Sequence, residues 1–296
     1  MVKELVVISG KGGTGKTSLV ASFAVLAGRS VLADCDVDAA DLHLVFEPKI
    51  IERADFSGGS RAQIISAKCT ACGKCMEVCR FHAISLKGPG NRKVKKTYQV
   101  DPIACEGCGV CNYFCPEDAI DFSMANNGQW FVSNTRVGPM VHAKLGIAEE
   151  NSGKLVRLVR TQAKRIAEEK KHDMVLIDGS PGIGCPVIAS ITGTDLVLVV
   201  TEPTLSGLHD LERVAELTNH FSIKTLVCIN KWDINQELTK KIENMAEQRK
   251  LIIAGRIRYD QSVTKAQIHK MAVVEYVRNG IAKDIIEVWN KVDEIV

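Results

Sequence analysis

Short apolar runs closed by polar or glycine-rich turns recur towards both ends of this chain and are missing from its middle. Leu5-Val6-Val7-Ile8, between Glu4 and Ser9, is the first. Its brevity and β-branched content predict a strand buried on both faces. Ser30–Ala33, Met174–Ile177, Leu196–Val200, Thr225–Ile229 and Ile252–Ile257 repeat the pattern, and Trp130-Phe131-Val132 predicts a further strand. Helical spacing fills the intervals from Thr17 to about Ala27, Ser152 to Lys170, Leu208 to His220 and Gln236 to Lys250. Strands alternating with helices imply an α/β fold with a doubly wound, mostly parallel sheet that binds ligands at the carboxyl ends of its strands. At the C-terminus Ile285, Val288, Trp289, Val292 and Ile295 share one helical face. The polar face carries Asp284, Glu287, Asp293 and Glu294 against Lys283 and Lys291, a poor match for anionic lipid, so packing on the sheet is expected.

Between about Ser57 and Phe122 the rhythm stops and cysteine takes over. Two runs, Cys69-x2-Cys72-x2-Cys75-x3-Cys79 and Cys105-x2-Cys108-x2-Cys111-x3-Cys115-Pro116, are each followed at the same offset by a short apolar piece, Ala83–Leu86 and Ala119–Phe122. This is an internal repeat. The second run has the bacterial ferredoxin spacing, in which three thiolates converge on one cubane and the fourth points to another. The expected pairing is therefore crossed, with Cys69, Cys72, Cys75 and Cys115 on one [4Fe-4S] cluster and Cys105, Cys108, Cys111 and Cys79 on a second. Zinc knots usually take cysteines as separated pairs, and the repeated triple spacing argues against them and against a disulfide framework. Arg80 stands where a proline is expected after Cys79.

A second chemistry lies at the N-terminus. Gly10-Lys11-Gly12-Gly13-Thr14-Gly15-Lys16-Thr17 fits G-x-x-x-x-G-K-[ST] and follows the first strand, the context that the motif needs. Its backbone N–H groups would wrap a triphosphate. Lys16 would reach the β- and γ-phosphates, and Thr17 would ligate Mg2+ at the start of a helix.

Composition narrows the picture only slightly. The 296 residues are 46% hydrophobic, enough for a packed core, and no apolar run approaches the ~18 residues of a membrane-spanning helix. A short N-terminal apolar stretch leads straight into the phosphate loop, so no signal peptide is expected and the protein is placed in the cytoplasm. The formal charge of +3 falls to roughly −1 once eight ligating thiolates and two cluster cores of about +2 each are counted. No basic excess remains to suggest nucleic acid. The one concentration of cations is Lys87 to Lys96, around the turn Gly88-Pro89-Gly90-Asn91, expected to be a solvated hairpin or a dock for an acidic redox partner.

With its lysine at the front, Lys11–Thr17 resembles the deviant Walker A loop of the MinD/ParA/nitrogenase-iron-protein class of dimeric ATPases. With the cysteine block included, the whole chain resembles MinD-superfamily P-loop ATPases that contain an inserted ferredoxin domain. The resemblance implies a P-loop NTPase sheet carried by residues 1–57 and 124–296, with a bacterial 2[4Fe-4S] ferredoxin-like insert at 58–123. The insert is expected to leave the chain just after the acidic turn Asp34–Asp38. The resemblance implies that Lys11 reaches across a dimer interface to phosphates held by the other subunit. Asp36 would orient the attacking water or the magnesium shell, with Asp38 and Asp41 as weaker candidates. Asp178 would hold magnesium through water, and Gly182 would let the next loop sense the γ-phosphate. Asn230 would sit by the adenine and Arg258-Tyr259-Asp260 would cover it. Asn230-Lys231-Trp232-Asp233 also fits N-K-x-D, whose aspartate reads guanine in GTPases, although ATP is the expected nucleotide. Cys185, after switch II, is expected to be a buried structural thiol, and Cys35 and Cys228 to be core.

The expected function is ATP-dependent dimerisation and hydrolysis coupled to electron transfer through the two clusters to an unidentified redox partner protein. The dimer would form with an identical chain or a paralogue. An iron–sulfur cluster carrier, or a positioning ATPase with redox-sensing clusters, are the alternatives.

Overall fold

The computed structural model describes residues 2–146 and 152–296. The chain divides into two compact units, one formed by 2–54, 130–144 and 152–296, the other by 55–129 with 145–146. In chain order the first unit begins with β1 (Lys3–Ser9), α1 (Lys16–Ala27), β2 (Ser30–Asp34), α2 (Leu42–Phe46) and β3 (Lys49–Phe56). The second contains β4 (Gly59–Ile64), α3 (Lys74–Val78), β5 (Ile84–Gly88), β6 (Thr97–Val100), α4 (Val110–Tyr113) and β7 (Ile120–Ala125). The chain then returns through β8 (Gly128–Thr135) and β9 (Gly138–Leu145) to α5 (Ser152–Glu169), β10 (Met174–Pro181), α6 (Cys185–Ile191), β11 (Leu196–Thr201) and α7 (Leu205–His220). The last stretch is β12 (Thr225–Asn230), α8 (Gln236–Gln248), β13 (Ile252–Ile257), α9 (Ser262–Ile268), α10 (Val273–Tyr276) and α11 (Ile281–Ile295).

Among the described residues nine strands make one sheet in the order β13-β12-β11-β1-β10-β2-β9-β8-β3. β1, β2, β10, β11, β12 and β13 pair in parallel with one another, and β2 also pairs in parallel with β9. A parallel sheet needs cover on both faces, which is why these strands are continuous apolar runs with Leu5 to Ile8 completely buried. β1 lies between β10 and β11, so the chain changes direction of winding there and opens a crevice at the strand ends. The register Val7↔Asp178 and Asp178↔Asp34 sets two carboxylates side by side at that end.

α11 packs as its periodicity predicts. Ile285, Val288, Trp289 and Val292 are buried, and the Trp289 ring lies 5.0 Å from Phe23 of α1. Each such side chain contributes about 1.5–3 kcal/mol by leaving water.

Six elements of this unit are absent from the sequence reading: α2, β3, β9, α6, α9 and α10. α2 is a five-residue helix, too short to display a period, and β3 is exposed along nearly all its length, so neither strand alternation nor an apolar run marks it. Their presence corrects the expected exit point. The chain leaves for the second unit after β3, not after the acidic turn.

The cysteine-rich unit is two antiparallel ladders. β4 pairs β7 from Gly59↔Ala125 to Ile64↔Ile120, and β5 pairs β6 from Ile84↔Val100 to Gly88↔Thr97. α3 and α4 open at Gly73 (φ 85°) and Gly109 (φ 75°), each just after the second cysteine of its run. A left-handed residue is what lets the chain reverse there and bring the next cysteine inward. The internal repeat in sequence is thus a repeat in backbone conformation.

Candidate functional sites

In the α/β unit, a cleft of about 1120 Å³ at the carboxyl ends of the strands is lined by residues 12–18, Asp36, Asp41, Asn230 and 258–260, among others. The loop 10–15 wraps into α1, whose N-terminus opens onto the cleft with Thr17 in its first turn. Such a terminus favours anions. Gly15 has φ 89°, and a Cβ there would stand 2.5 Å from Asn230 Nδ2, so both conformation and space demand glycine.

Lys16 is buried and bridges two carboxylates, at 2.7 Å from Asp178 Oδ1 and 3.2 Å from Asp36 Oδ2. Burial opposes its charge, but the attraction of Asp178 and Asp36 outweighs that and holds its pKa above the ordinary lysine value. Asp34 lies beneath them, entirely buried, and accepts from the backbone N–H of Asp36 and of Leu42 at 3.3 Å each. Burial pushes its carboxyl up, and Asp178 adds to the effect. Burial raises Asp36 as well, against the pull of Lys16. Asp178 Oδ2 and Thr14 Oγ1 are buried with no hydrogen-bond partner among the described residues. Asp38 and Asp41 are exposed.

Lys11 is held within its own chain. Its Nζ is 2.6 Å from Glu202 Oε1 and donates to Ser206 Oγ at 3.2 Å. The other oxygen of Glu202 takes Lys231 Nζ at 3.0 Å, and Lys231 also donates to the Gly13 carbonyl at 3.2 Å. Sequence reasoning passed over Glu202, although its place at the carboxyl end of a strand, just after β11, was a usable signal. Asn230 lines the cleft but spends its amide on the Thr14 carbonyl at 2.7 Å, bracing the loop. Asp233 accepts from the Tyr259 N–H at 2.7 Å and is not among the lining residues, whereas Tyr259 is. Asp260 accepts from the Ser262 N–H at 2.8 Å and opens the next helix. Gly182 has φ 92° and its N–H donates to the Ser9 carbonyl at 2.8 Å.

In the cysteine-rich unit the eight cysteines sort around two cavities. One is lined by Cys69, Cys72, Cys75 and Cys115, the other by Cys105, Cys108, Cys111 and Cys79. Cys72 and Cys108 are the exposed members of their sets. Arg80 is exposed. No three His, Cys, Asp or Glu side chains among the described residues gather closely enough for a single metal ion. Cys35 and Cys228 are buried as expected, but Cys185 is exposed. That corrects its expected burial: it is the first residue of α6, where the chain emerges from β10 and side chains face outward before the helix turns its apolar face to the sheet.

The CobQ/CobB/MinD/ParA nucleotide-binding domain family matches residues 5–273. This chain belongs to that family. An uncharacterized protein of Methanocaldococcus jannaschii is 31% identical over 245 residues, 79% of this chain and 80% of that one. NADH-quinone oxidoreductase subunit I of Pelobacter propionicus is 30% identical over 84 residues, 24% of this chain and 45% of that one. Among solved structures, the septum site-determining protein MinD of Pyrococcus horikoshii, complexed with Mg-ADP, superposes with a TM-score of 0.57 at 16% identity, covering 99% of this chain and 97% of that one. This likeness is one of fold. Among the described residues no helix of this family member is long and apolar enough to cross a membrane.

Proposed function

We propose that this protein is an ATPase whose nucleotide-dependent dimerisation and hydrolysis are coupled to electron transfer through two [4Fe-4S] clusters. The observation that carries the proposal is the sorting of the cysteines, three from one run and the fourth from the other around each cavity. A zinc ion would draw its sulfurs to about 2.3 Å from one point. Here the donors ring a space instead, as a cubane with a thiolate on each iron requires. The donor set therefore fits the group, and residues 58–123 are taken as the cluster-bearing insert. The short match to an NADH-quinone oxidoreductase subunit supports a redox role.

In the cleft, the orphaned Asp178 Oδ2 and Thr14 Oγ1 fit a hydrated magnesium ion and a phosphate oxygen. Thr17 and Asp178 would hold Mg2+, which when bound neutralises charge on the β- and γ-phosphates. Lys16 would exchange its carboxylate partners for those phosphates, and the freed Asp36 would orient the attacking water. The N–H groups of Gly10, Lys11, Gly12, Gly13, Thr14 and Gly15 would cradle the phosphate chain. Lys11, released from Glu202, would reach the phosphates of a second subunit. Asp233 already accepts the Tyr259 N–H, which weakens any role in reading guanine and supports adenine. Asn230 and Asp260 then act by positioning the loops around the base.

Anaerobic preparation followed by reductive titration with and without ATP tests the coupling. About eight irons and eight sulfides per chain are expected. ATP should move at least one midpoint potential, and a tenfold affinity difference between redox states corresponds to about 59 mV per electron. Lys11→Ala should bind nucleotide as a monomer and fail to dimerise in sedimentation. Zinc in place of iron removes the cluster assignment. Potentials and nucleotide affinity that ignore each other leave a cluster carrier or a positioning ATPase.

A further inference from the structure

The hairpin joining β5 to β6 is built around Asn91, whose side chain uses all its main hydrogen-bonding capacity. Its amide donates to the Ser66 carbonyl at 2.6 Å and the Cys69 carbonyl at 2.7 Å. Its oxygen accepts from the N–H of Lys93 at 2.8 Å and of Val94 at 2.9 Å. Thr97 Oγ1 donates to the Pro89 carbonyl at 2.7 Å and closes the base of the turn. The tip is thereby pinned to the backbone of Cys69, which lines the first cysteine cavity.

What the tip presents is charge. Arg92, Lys93, Lys95 and Lys96 are all exposed, and no Asp or Glu occurs between Lys87 and Val100. Among the described residues none of the four takes part in an ion pair, whereas in the α/β unit Arg136, Arg160, Lys164, Arg249, Arg256 and Arg258 all meet carboxylates. Four like charges on a pinned turn repel one another and cannot spread, so an anionic partner is the arrangement that relieves them. The patch is compact, and the cluster-loaded chain has no general basic excess, which suits a small acidic surface better than a long polyanion.

We propose that this hairpin is a docking surface for a small acidic electron-carrier protein, seated beside the cavity of Cys69, Cys72, Cys75 and Cys115. The proposal rests on the reading that this cavity holds a cluster. Carrier complexes of this kind are small and owe their encounter rate to complementary charge, which the tip supplies, and Cys72, which lines the cavity, is exposed.

The test uses the full-length, anaerobically prepared protein and an acidic plant-type ferredoxin as probe, with binding followed by calorimetry. Raising salt from about 20 mM to about 200 mM should weaken binding at least about tenfold. The double variant Arg92→Glu with Lys93→Glu should weaken it at least about tenfold at low salt, with iron content and thermal unfolding unchanged, and should gain affinity for basic cytochrome c. Unaltered ferredoxin affinity in the variant overturns the proposal. So does tighter binding of a DNA duplex or of anionic vesicles, lost in the same variant. Iron analysis of the same samples judges the cluster reading separately: protein without iron that still binds ferredoxin through the tip overturns the cluster assignment and leaves the docking surface standing.

Discussion

The α/β unit fills its core with side chains such as Leu5, Phe23, Leu32, Leu176 and Leu198, all completely buried, and closes one face with Trp289. The cysteine-rich unit has Ala62, Ile84, Tyr98, Val100 and Ile120 as its buried apolar residues in one small cluster, and the rest of that cluster is Cys75 and Cys111, with Cys79, Cys105 and Cys115 packed around it. A chain segment of this size seldom supplies enough apolar burial to offset its conformational entropy without a metal or another staple. Burial pushes the Cys75 thiol up to about 11 and that of Cys111 above its ordinary value, so on the proposed reading cluster loading would have to deprotonate both. On the proposed reading, one unit is held by what its side chains touch and the other by what its side chains would surround.

The sharpest way to break this contrast is to remove the iron. Chelation should melt the second unit, seen as rapid proteolysis within 55–129, while the α/β unit keeps its circular dichroism and its nucleotide binding. Survival of both units alike would show that the small core suffices.

Lys16→Ala comes next and acts on the other side of the contrast. It leaves Asp178, Asp36 and Asp34 facing one another without a cation, a loss of about 3–5 kcal/mol for a broken buried pair. The carboxyls of Asp34 and Asp36 are raised above 3.8 in the folded protein, so the folded state binds more protons than the unfolded one between that value and the raised ones. Stability therefore falls as pH rises through this window. Removing Lys16 widens it, and the variant's deficit in urea unfolding should be larger at about pH 7 than at about pH 5. Nucleotide binding should be lost as well.

A smaller effect is expected from Cys108→Ser, which should halve the iron content and leave nucleotide affinity intact, since the other cavity keeps its own four cysteines. Smallest of all, Asp233→Ala removes one exposed hydrogen bond to Tyr259, about 1 kcal/mol, and should lower ATP affinity by less than about tenfold without changing the preference for ATP over GTP. A swing towards or away from GTP would restore the guanine-reading role.

The sequence by itself determined the parallel strands, because burial on both faces leaves a continuous apolar run, and the phosphate loop, because a backbone cradle needs glycine at fixed spacing. It determined the helix that carries Trp289 through a 3.6-residue period, and the cysteine repeat through its offsets. What it left undetermined was whatever depends on partners distant in the chain. β3 carries no apolar run or alternation because almost all its side chains face water, and its strand state comes from the neighbour it pairs with. Cys185, after switch II, is expected from sequence to be a buried structural thiol, yet its side chain is exposed where the helix begins. Lys11 and Glu202 lie far apart in sequence and meet at 2.6 Å only because β1 and β11 are neighbours in the sheet. Asn91 gave no sign of pinning a charged tip to Cys69, since the hydrogen bonds that do so cross a fold rather than a motif. Local patterns reveal what a residue requires of its immediate backbone, and tertiary structure alone decides which distant group satisfies it.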